Sequence, residues 1–351
     1  MSTPRWKPAE VPRPDAVPDE ATARTLRVTP ELAGTRLDVF LSLSLRSTSR
    51  TRAKLIAKQA AYTPDGRKIR PNQRLQAEAH VVLWRVPVDD LDDELEMPIV
   101  YQDEHILVIN KPPNLTVHPT ASHYHKTVLK LLEHRFPGQY FSLVHRLDQD
   151  TSGILILALT QAADRAFKML LEGTISVPEG VDASLTKTYQ AITWGVPQDG
   201  IIDLPLERDP DNTMRVKMRV AEPGAGLSAQ TGLRVLGTAP SADDPLHPGP
   251  YALVECRLFT GRQHQIRIHL ATRGTPVVGD RLYGPDERLH ARGADRELTS
   301  ADLVQLEMPR QALHAWRYEL PHALTWERLT LEAALPDDMA DFWHARGGGT
   351  L

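Results

Sequence analysis

The longest unbroken apolar run in the chain is ILILAL, Ile154 to Leu159. A membrane-spanning helix needs roughly 18 to 20 apolar residues, so this run is far too short to cross a bilayer. It reads instead as a strand that returns the chain to the interior, with no side left for solvent. A chain of 351 residues can bury such a strand and exceeds the usual single domain, so one small and one large domain, or two of moderate size, are expected. From Pro98 to about Ala345 short strand patterns recur: HILVIN, SLVHRL, GILILALT, KTYQAITWG, YALVECRLFT, HQIRIHLA and RLTLEAAL. Helical periodicity is sparser and clearest over Thr127 to Arg135 and Gln161 to Glu172. This mixture predicts an α+β domain with a mixed, largely antiparallel sheet rather than a doubly wound fold. Segments 177–183, 237–250 and 284–300, rich in Gly, Pro and Asp, are expected to be surface loops.

Composition narrows the class. Hydrophobic residues at 41% and charged residues at 25% are ordinary for a globular protein and exclude a fibrous or wholly disordered chain. The N-terminal MSTPRWKPAEVPRPDAVPDEATAR lacks the apolar core of a secretory signal and carries Pro4, Pro8, Pro12, Pro14 and Pro18, so residues 1–23 are expected to form a disordered arm. The single cysteine, Cys256, allows neither an intramolecular disulfide nor a cysteine-based zinc cluster. Fourteen histidines raise the idea of a metal site, but no H-E-x-x-H pattern or tight His and carboxylate cluster accompanies them. Walker and dinucleotide fingerprints are also missing. The expectation is a cytoplasmic monomer that works with side chains alone, using no metal and no cofactor.

A formal net charge of -4 taken alone points to a small-molecule enzyme, but the charge is segregated. Between Arg24 and Val86 thirteen Lys or Arg face four acids, Glu31, Asp38, Asp65 and Glu78, an excess of nine. That is a polyanion-binding footprint. DDLDDELE, Asp89 to Glu96, follows directly and marks a solvated acidic linker over 87–97. Within the basic segment Leu37, Phe40 and Leu41 fall at helical spacing, and Ala53, Ile56, Ala57 and Ala60 repeat it after Ser49 as N-cap. Arg50, Lys54 and Lys58 lie four apart along one face of the second helix, which suits either a phosphate backbone or plain solvent. PDGRKIRP and AHVVLWRV then read as a turn and a closing strand.

Two segments carry the chemistry. In VHRLDQDTSGILILAL, Val144 to Leu159, an alternating strand delivers Asp148 to a turn of Gln149, Asp150, Thr151, Ser152 and Gly153. A carboxylate at the lip of a buried sheet can serve as nucleophile or base, or it can simply cap the turn. Asp148 and Asp150 also raise glycoside hydrolysis by paired acids, which would need both in one cleft. In LFTGRQHQIRIHLATRG, Leu258 to Gly274, strand alternation would place Gln263, Gln265, Arg267 and His269 on one side and His264, Ile266 and Ile268 on the other. A buried Arg267 requires a carboxylate, and Asp148 is the most economical partner; phosphate or surface pairing is the alternative. Gly261 before Arg262 permits a tight turn that brings backbone close to a ligand.

ILVINKPPNLTVHPT, HRLDQDTSGILILAL, KTYQAITWG, LFTGRQHQIRIHL, GDRLYG and LHAWRYELPH, in that order, resemble the successive motifs of RluA-type pseudouridine synthases over about residues 98–337. TRLDVFLSLSL, SRTRAKLIAKQAA and the basic hairpin after them resemble the small RNA-binding domain of ribosomal small-subunit protein four, with Glu78-Ala79 where that domain usually has Gly-Asp. These resemblances imply a pseudouridine synthase fold over 98–345, a small α+β RNA-binding domain over 24–86 and a flexible tail at 346–351. They imply Asp148 as nucleophile, Arg267 as its ion-pair partner and Tyr189 as the platform that stacks on uracil and handles a proton. Arg146 would fill the gap left by the extruded nucleotide, and Ile266 would pack against the base. His145, Leu147, Thr151, Arg262, His264 and Gln265 would complete the substrate site. Arg50, Arg52, Lys54, Lys58, Arg67 and Lys68 would meet the RNA.

The reaction so implied breaks the bond from C1′ to N1 of a uridine and rejoins the same base through C5. The target must first leave its stack, at a cost of a few kcal/mol, which favours loops and ends of structured RNA. Attack on ribose by Asp148 and elimination to a glycal both remain open. In the family it resembles, an attached basic domain is more typical of enzymes acting on large-subunit ribosomal RNA than on transfer RNA, so the resemblance implies the former ahead of the latter. A catalytically silent RNA-binding or ribosome-assembly protein is the competing reading, against which the intact Asp148, Tyr189 and Arg267 speak.

Overall fold

A computed structural model of the chain describes residues 11–19, 21–45, 50–85, 95–118, 127–212, 216–240, 249–294 and 297–350. The chain divides into two compact units: residues 1–90 with 209–217 and 290–297 form one, and the remainder forms the other.

In the N-terminal part, β1 (Thr22–Arg27) is followed by α1 (Leu37–Ser44), α2 (Arg50–Ala60), β2 (Ala61–Tyr62) and β3 (His80–Arg85). The strands pair antiparallel in the order β1-β3-β2. The helical spacing translates directly into packing: Leu37, Phe40, Leu41, Ala53 and Ala57 are buried with Val28, Ile69, Val81 and Leu83 in one core. Part of the arm expected to be disordered is folded, because Val17 and Ala21 bury against Tyr62. Glu78 takes a left-handed backbone with φ 65°, a conformation that glycine adopts at lower cost. It accepts a hydrogen bond from Arg27 Nε at 2.7 Å. Residues 1–10, the N-cap position Ser49, the side chain of Arg52 and most of the acidic linker lie outside the described residues.

The larger unit holds β4 (Ile99–Gln102), β5 (Ile106–Lys111), α3 (Val128–Arg135), β6 (Ser142–Leu143), β7 (Ser152–Ala158), α4 (Gln161–Glu172), β8 (Thr186–Trp194), β9 (Gly200–Asp203), β10 (Leu206–Arg208) and β11 (Met218–Val220). It continues with β12 (Gln230–Ala239), β13 (Tyr251–Leu258), α5 (Gln265–Thr272), α7 (Ser300–Leu306), β14 (Leu313–Pro321), β15 (Arg328–Glu332) and α8 (Asp337–Ala345), while α6 (Arg288–Ala294) belongs from residue 290 onward to the other unit. Ten strands form one sheet in the order β4-β5-β7-β14-β8-β13-β12-β9, with β15 on β14 and β6 on β7. The β7 and β14 pair is parallel, His314 opposite Ser152 and Ala315 opposite Gly153, and the other pairs are antiparallel. Ile154 to Ala158 of the apolar run lie inside β7, whose residues are all buried, and Leu159 follows it.

Several expectations need correction. HQIRIHLA is not a strand but the helix α5. Gln265 to Leu270 are all buried, so the helix has no polar outer face to reveal its period, and the alternation of polar residues with isoleucine imitates a strand. SLVHRL is a strand only at Ser142 and Leu143, since the Ile156 N–H donates to the ring of His145 at 3.1 Å instead of continuing a ladder. Gly153 belongs to β7 rather than to the turn before it. Its φ of 110° and the 2.3 Å that would separate an added Cβ from the Ala315 carbonyl oxygen show why glycine stands where β7 meets β14. The segment 284–300 contains α6, and 237–239 completes β12. The tail expected to be loose folds back on α8, where Trp343 Nε1 donates to the Gly349 carbonyl at 3.0 Å.

Candidate active site

Asp148 sits at the end of the irregular segment that enters β7. Its carbonyl accepts from Thr151 N at 3.1 Å and closes the turn. The turn is held from beneath by buried groups. Lys111 Nζ donates to the carbonyls of Pro112 at 2.7 Å and of Leu115 and Gln149 at 3.0 Å. Burial pushes this amine down to about 7, against the pull of the Asp150 and Asp148 charges. Arg310 forks onto Asp338 at 2.6 and 2.7 Å and reaches the Asp150 carbonyl at 3.3 Å. Gln311 Nε2 donates to Thr151 Oγ1 at 3.0 Å, and Ser152 Oγ bonds His314 Nδ1 at 2.9 Å. Thr151 is thus a structural member of the turn.

The Asp148 carboxylate is 29% exposed, while the Arg267 guanidinium that meets it is 6% exposed. Arg267 Nη1 donates to Asp148 Oδ2 at 2.9 Å. The pairing inferred from the sequence is present, but the two-pronged fork points elsewhere: Nε and Nη2 donate to Asp280 at 2.7 and 2.8 Å. Asp280 is fully buried and also accepts from the backbone of Leu282 at 2.8 Å and Tyr283 at 3.0 Å. Gly279 makes this possible, for an added Cβ would stand 1.9 Å from the Arg310 carbonyl oxygen, and its φ is 75°. The Tyr283 ring lies 5.1 Å from the Arg267 guanidinium carbon, and its hydroxyl bonds His264 Nδ1 at 2.8 Å. His264 Nε2 is 3.8 Å from Asp148 Oδ1.

Burial raises the Asp148 pKa, but the charges of His264 and Arg267 and the Arg267 hydrogen bond outweigh it and hold the carboxyl below its ordinary range. The result is an ionised, aimed carboxylate with one oxygen fixed from within. Asp150 is held by a different arginine, Arg281, at 3.4 Å. The two carboxylates are not a matched acid pair.

Tyr189 on β8 is buried with its hydroxyl 2.6 Å from that of Tyr318 on β14. Burial pushes the phenol up to about 12, opposed by the Tyr318 bond and assisted by the nearby Asp148 charge. His145 has its ring 5.5 Å from that of Tyr318, and burial keeps it neutral well below its ordinary pKa. Lys187, one pleat from Tyr189 along β8, is pushed by burial down to about 8. Arg146 is exposed, and its charge reaches His118, whose pKa is lowered by burial and by that arginine. Leu147 and Ile266 are buried.

Gln265 and Arg262 take other parts than expected. The Gln265 amide accepts from Thr260 Oγ1 at 2.8 Å and Arg262 N at 3.0 Å and donates to Gln230 O and Thr231 Oγ1 at 2.9 Å, so it holds the turn into α5. Arg262 is exposed with Nε on the Ser228 carbonyl at 3.0 Å. On α2, Arg50, Lys54 and Lys58 are exposed as their spacing implied. Arg67 pairs with Asp65 at 2.6 Å, and Lys68 lies 4.1 Å over the Tyr62 ring. Sequence reasoning missed Asp280, Tyr283, Tyr318, Lys187 and Lys111. Only Asp280 had a usable signal, since it stands in GDRLYG and a buried arginine fork needs a second carboxylate.

A mixed sheet with an ionised aspartate at its lip, a buried arginine behind it and a tyrosine beside it has the make-up of a candidate enzyme site. Comparison with known proteins gives the family. The RNA pseudouridylate synthase family model matches residues 105–272. Ribosomal large subunit pseudouridine synthase D of Pseudomonas aeruginosa is 35% identical over 325 residues, covering 90% of this chain and 93% of that protein. The enzyme of the same name from Zymomonas mobilis is 32% identical, covering 89% and 94%. Among solved structures, human RNA pseudouridylate synthase domain containing 4 superposes with a TM-score of 0.51 at 25% identity, over 72% of this chain and 94% of that one. The chain belongs to the RluD-type pseudouridine synthase family. It is an isomerase that converts uridine to pseudouridine in RNA.

Proposed function

We propose that this enzyme modifies uridines of large-subunit ribosomal RNA, with Asp148 as nucleophile. The observation that carries the assignment of Asp148 is its asymmetry: Oδ2 is fixed by the buried Arg267, and the carboxylate retains 29% exposure through which a flipped nucleotide can reach it. Arg267 keeps the carboxylate ionised, and Asp280 keeps Arg267 charged and aimed. Tyr189 offers an aromatic face and a hydroxyl for the detached uracil, and the exposed Arg146 fills the vacated stack. The net change is an isomerisation, in which the bond from C1′ to N1 breaks, a bond from C1′ to C5 forms, and a proton passes from C5 to N1. Redox and Lewis-acid chemistry are not required. The ribosomal substrate is supported by the names of the relatives and by the basic surface of α2.

The N-terminal unit is taken as the affinity module, similar to the RNA-binding domain of ribosomal small-subunit protein four, in a protein that works as a cytoplasmic monomer. Pseudouridine maps of total RNA from a deletion strain and its parent test the substrate. Loss of sites confined to large-subunit ribosomal RNA is the expected result, and loss confined to transfer RNA refutes it.

A further inference from the structure

The Tyr189 and Tyr318 hydroxyls lie 2.6 Å apart, a short hydrogen bond between two phenols on neighbouring antiparallel strands. Both side chains are buried, 7% and 1% exposed, so water does not compete for the bond. Tyr318 is itself fixed: its ring lies 5.5 Å from the His145 ring and 6.0 Å from that of Tyr189, with Lys187 Nζ 5.7 Å from its centre. Among the described residues its hydroxyl bonds that of Tyr189. We propose that Tyr318 is a positioning residue for the isomerisation, which fixes the Tyr189 hydroxyl and supports negative charge on that oxygen while a proton is in transit. The proposal rests on the reading that Tyr189 handles a proton.

The chemistry asks for such support. After C5 has bonded to C1′, the proton on C5 must leave and its electron pair restore the double bond of the ring, while N1 gains a proton. A phenol that gives its proton to N1 and takes the one from C5 covers both transfers and passes through a phenolate. A buried phenolate without a donor is costly, and burial alone drives the Tyr189 pKa upward. When Tyr189 carries the charge, Tyr318 must be the donor, because only it then holds a proton in the shared bond. The arrangement resembles an oxyanion donor aimed at charge that develops during reaction.

Tyr318→Phe removes one oxygen and leaves the ring packing in place. Hydrogen bonds to charged groups typically correspond to about tenfold to hundredfold in an equilibrium, so single-turnover conversion should slow by a factor of that order. RNA affinity and near-ultraviolet circular dichroism should be unchanged. The distinguishing readout is the isotope effect on RNA carrying deuterium at C5 of the target uridine, which should rise in Tyr318→Phe because removal of that proton becomes more nearly rate-limiting. In a Tyr189→Phe background the second substitution should add nothing, since Tyr318 then has no oxygen to act through. Parental rate and isotope effect in Tyr318→Phe, with Tyr189→Phe slowed, would overturn the role of Tyr318 alone. Full activity in Tyr189→Phe would overturn the reading beneath it. A slowing equal for both isotopes, or an additive loss in the double variant, would make Tyr318 merely structural and overturn the proposal.

Discussion

Arg267→Lys preserves charge and removes geometry. Arg267 makes three charge-assisted hydrogen bonds, two to Asp280 and one to Asp148. An ammonium at the end of a shorter, unbranched stem can reach one carboxylate well, so two bonds are lost at about 1.5–3 kcal/mol each. That leaves a destabilisation of about 3–6 kcal/mol, toward the lower end of the roughly 5–15 kcal/mol that holds a domain together. The variant should fold. Its Asp148, no longer held, should turn over about a hundredfold more slowly, as small displacements of a reacting group commonly cost. Release of tritium from C5-labelled RNA under single-turnover conditions measures this.

The pH dependence gives an independent check on the same pair. Asp148 and Asp280 both have pKa values lowered in the folded state despite burial, so their contribution to stability is fully present above the unfolded value of 3.8 and is lost as pH falls through the lowered folded values. The rate should fall on the acid side as Asp148 protonates. In Arg267→Lys the burial that raises the Asp148 pKa is less opposed, so this limb should move to higher pH. Near-parental turnover with an unmoved acid limb would refute the reasoning.

Replacing Arg50, Lys54 and Lys58 together by Gln should weaken RNA binding and flatten its log-log salt slope by about two to three, since each phosphate contact contributes roughly 0.7–0.9; an unchanged slope would remove α2 from the RNA surface. Gly279→Ala must bear a left-handed backbone and a Cβ 1.9 Å from the Arg310 carbonyl oxygen. A cost of about 2–5 kcal/mol is expected from strain and overpacking together, read as a thermal midpoint lowered by roughly 5–15 °C. Activity should fall with it as Asp280 shifts, and a midpoint equal to the parent's would contradict the tight approach.

What could be read from the sequence divides along physical lines. The helices around Phe40 and Ala57, α4 and the inner strand β7 were legible because each has one period and one environment, and burial follows that period. The helix α5 was not, because burial on all sides erases amphipathicity and every polar residue on it finds an internal partner. The need of a buried Arg267 for a carboxylate was legible, but the identity of the fork's partner was not. GDRLYG put Asp280 in view as a candidate, but it stands thirteen residues from Arg267 and meets it through the turn at Gly279, so the sequence could not show that the fork closes on it. Tyr318 was hidden for a similar reason: it meets Tyr189 across a strand pair 129 residues apart in sequence, in a register shifted by an irregularity between Ala315 and Arg317.

Asp148→Asn tests the central assignment most directly. Asparagine has nearly the same shape and serves equally well in a turn, and Arg267 keeps its fork on Asp280, so the change should cost only about 1–2 kcal/mol of stability. A neutral amide can neither attack ribose nor take up its proton. The account predicts a soluble, folded Asp148→Asn protein that binds RNA with parental affinity and releases no C5 tritium above a mock-purified blank in a single turnover. Measurable pseudouridine from that protein would contradict it.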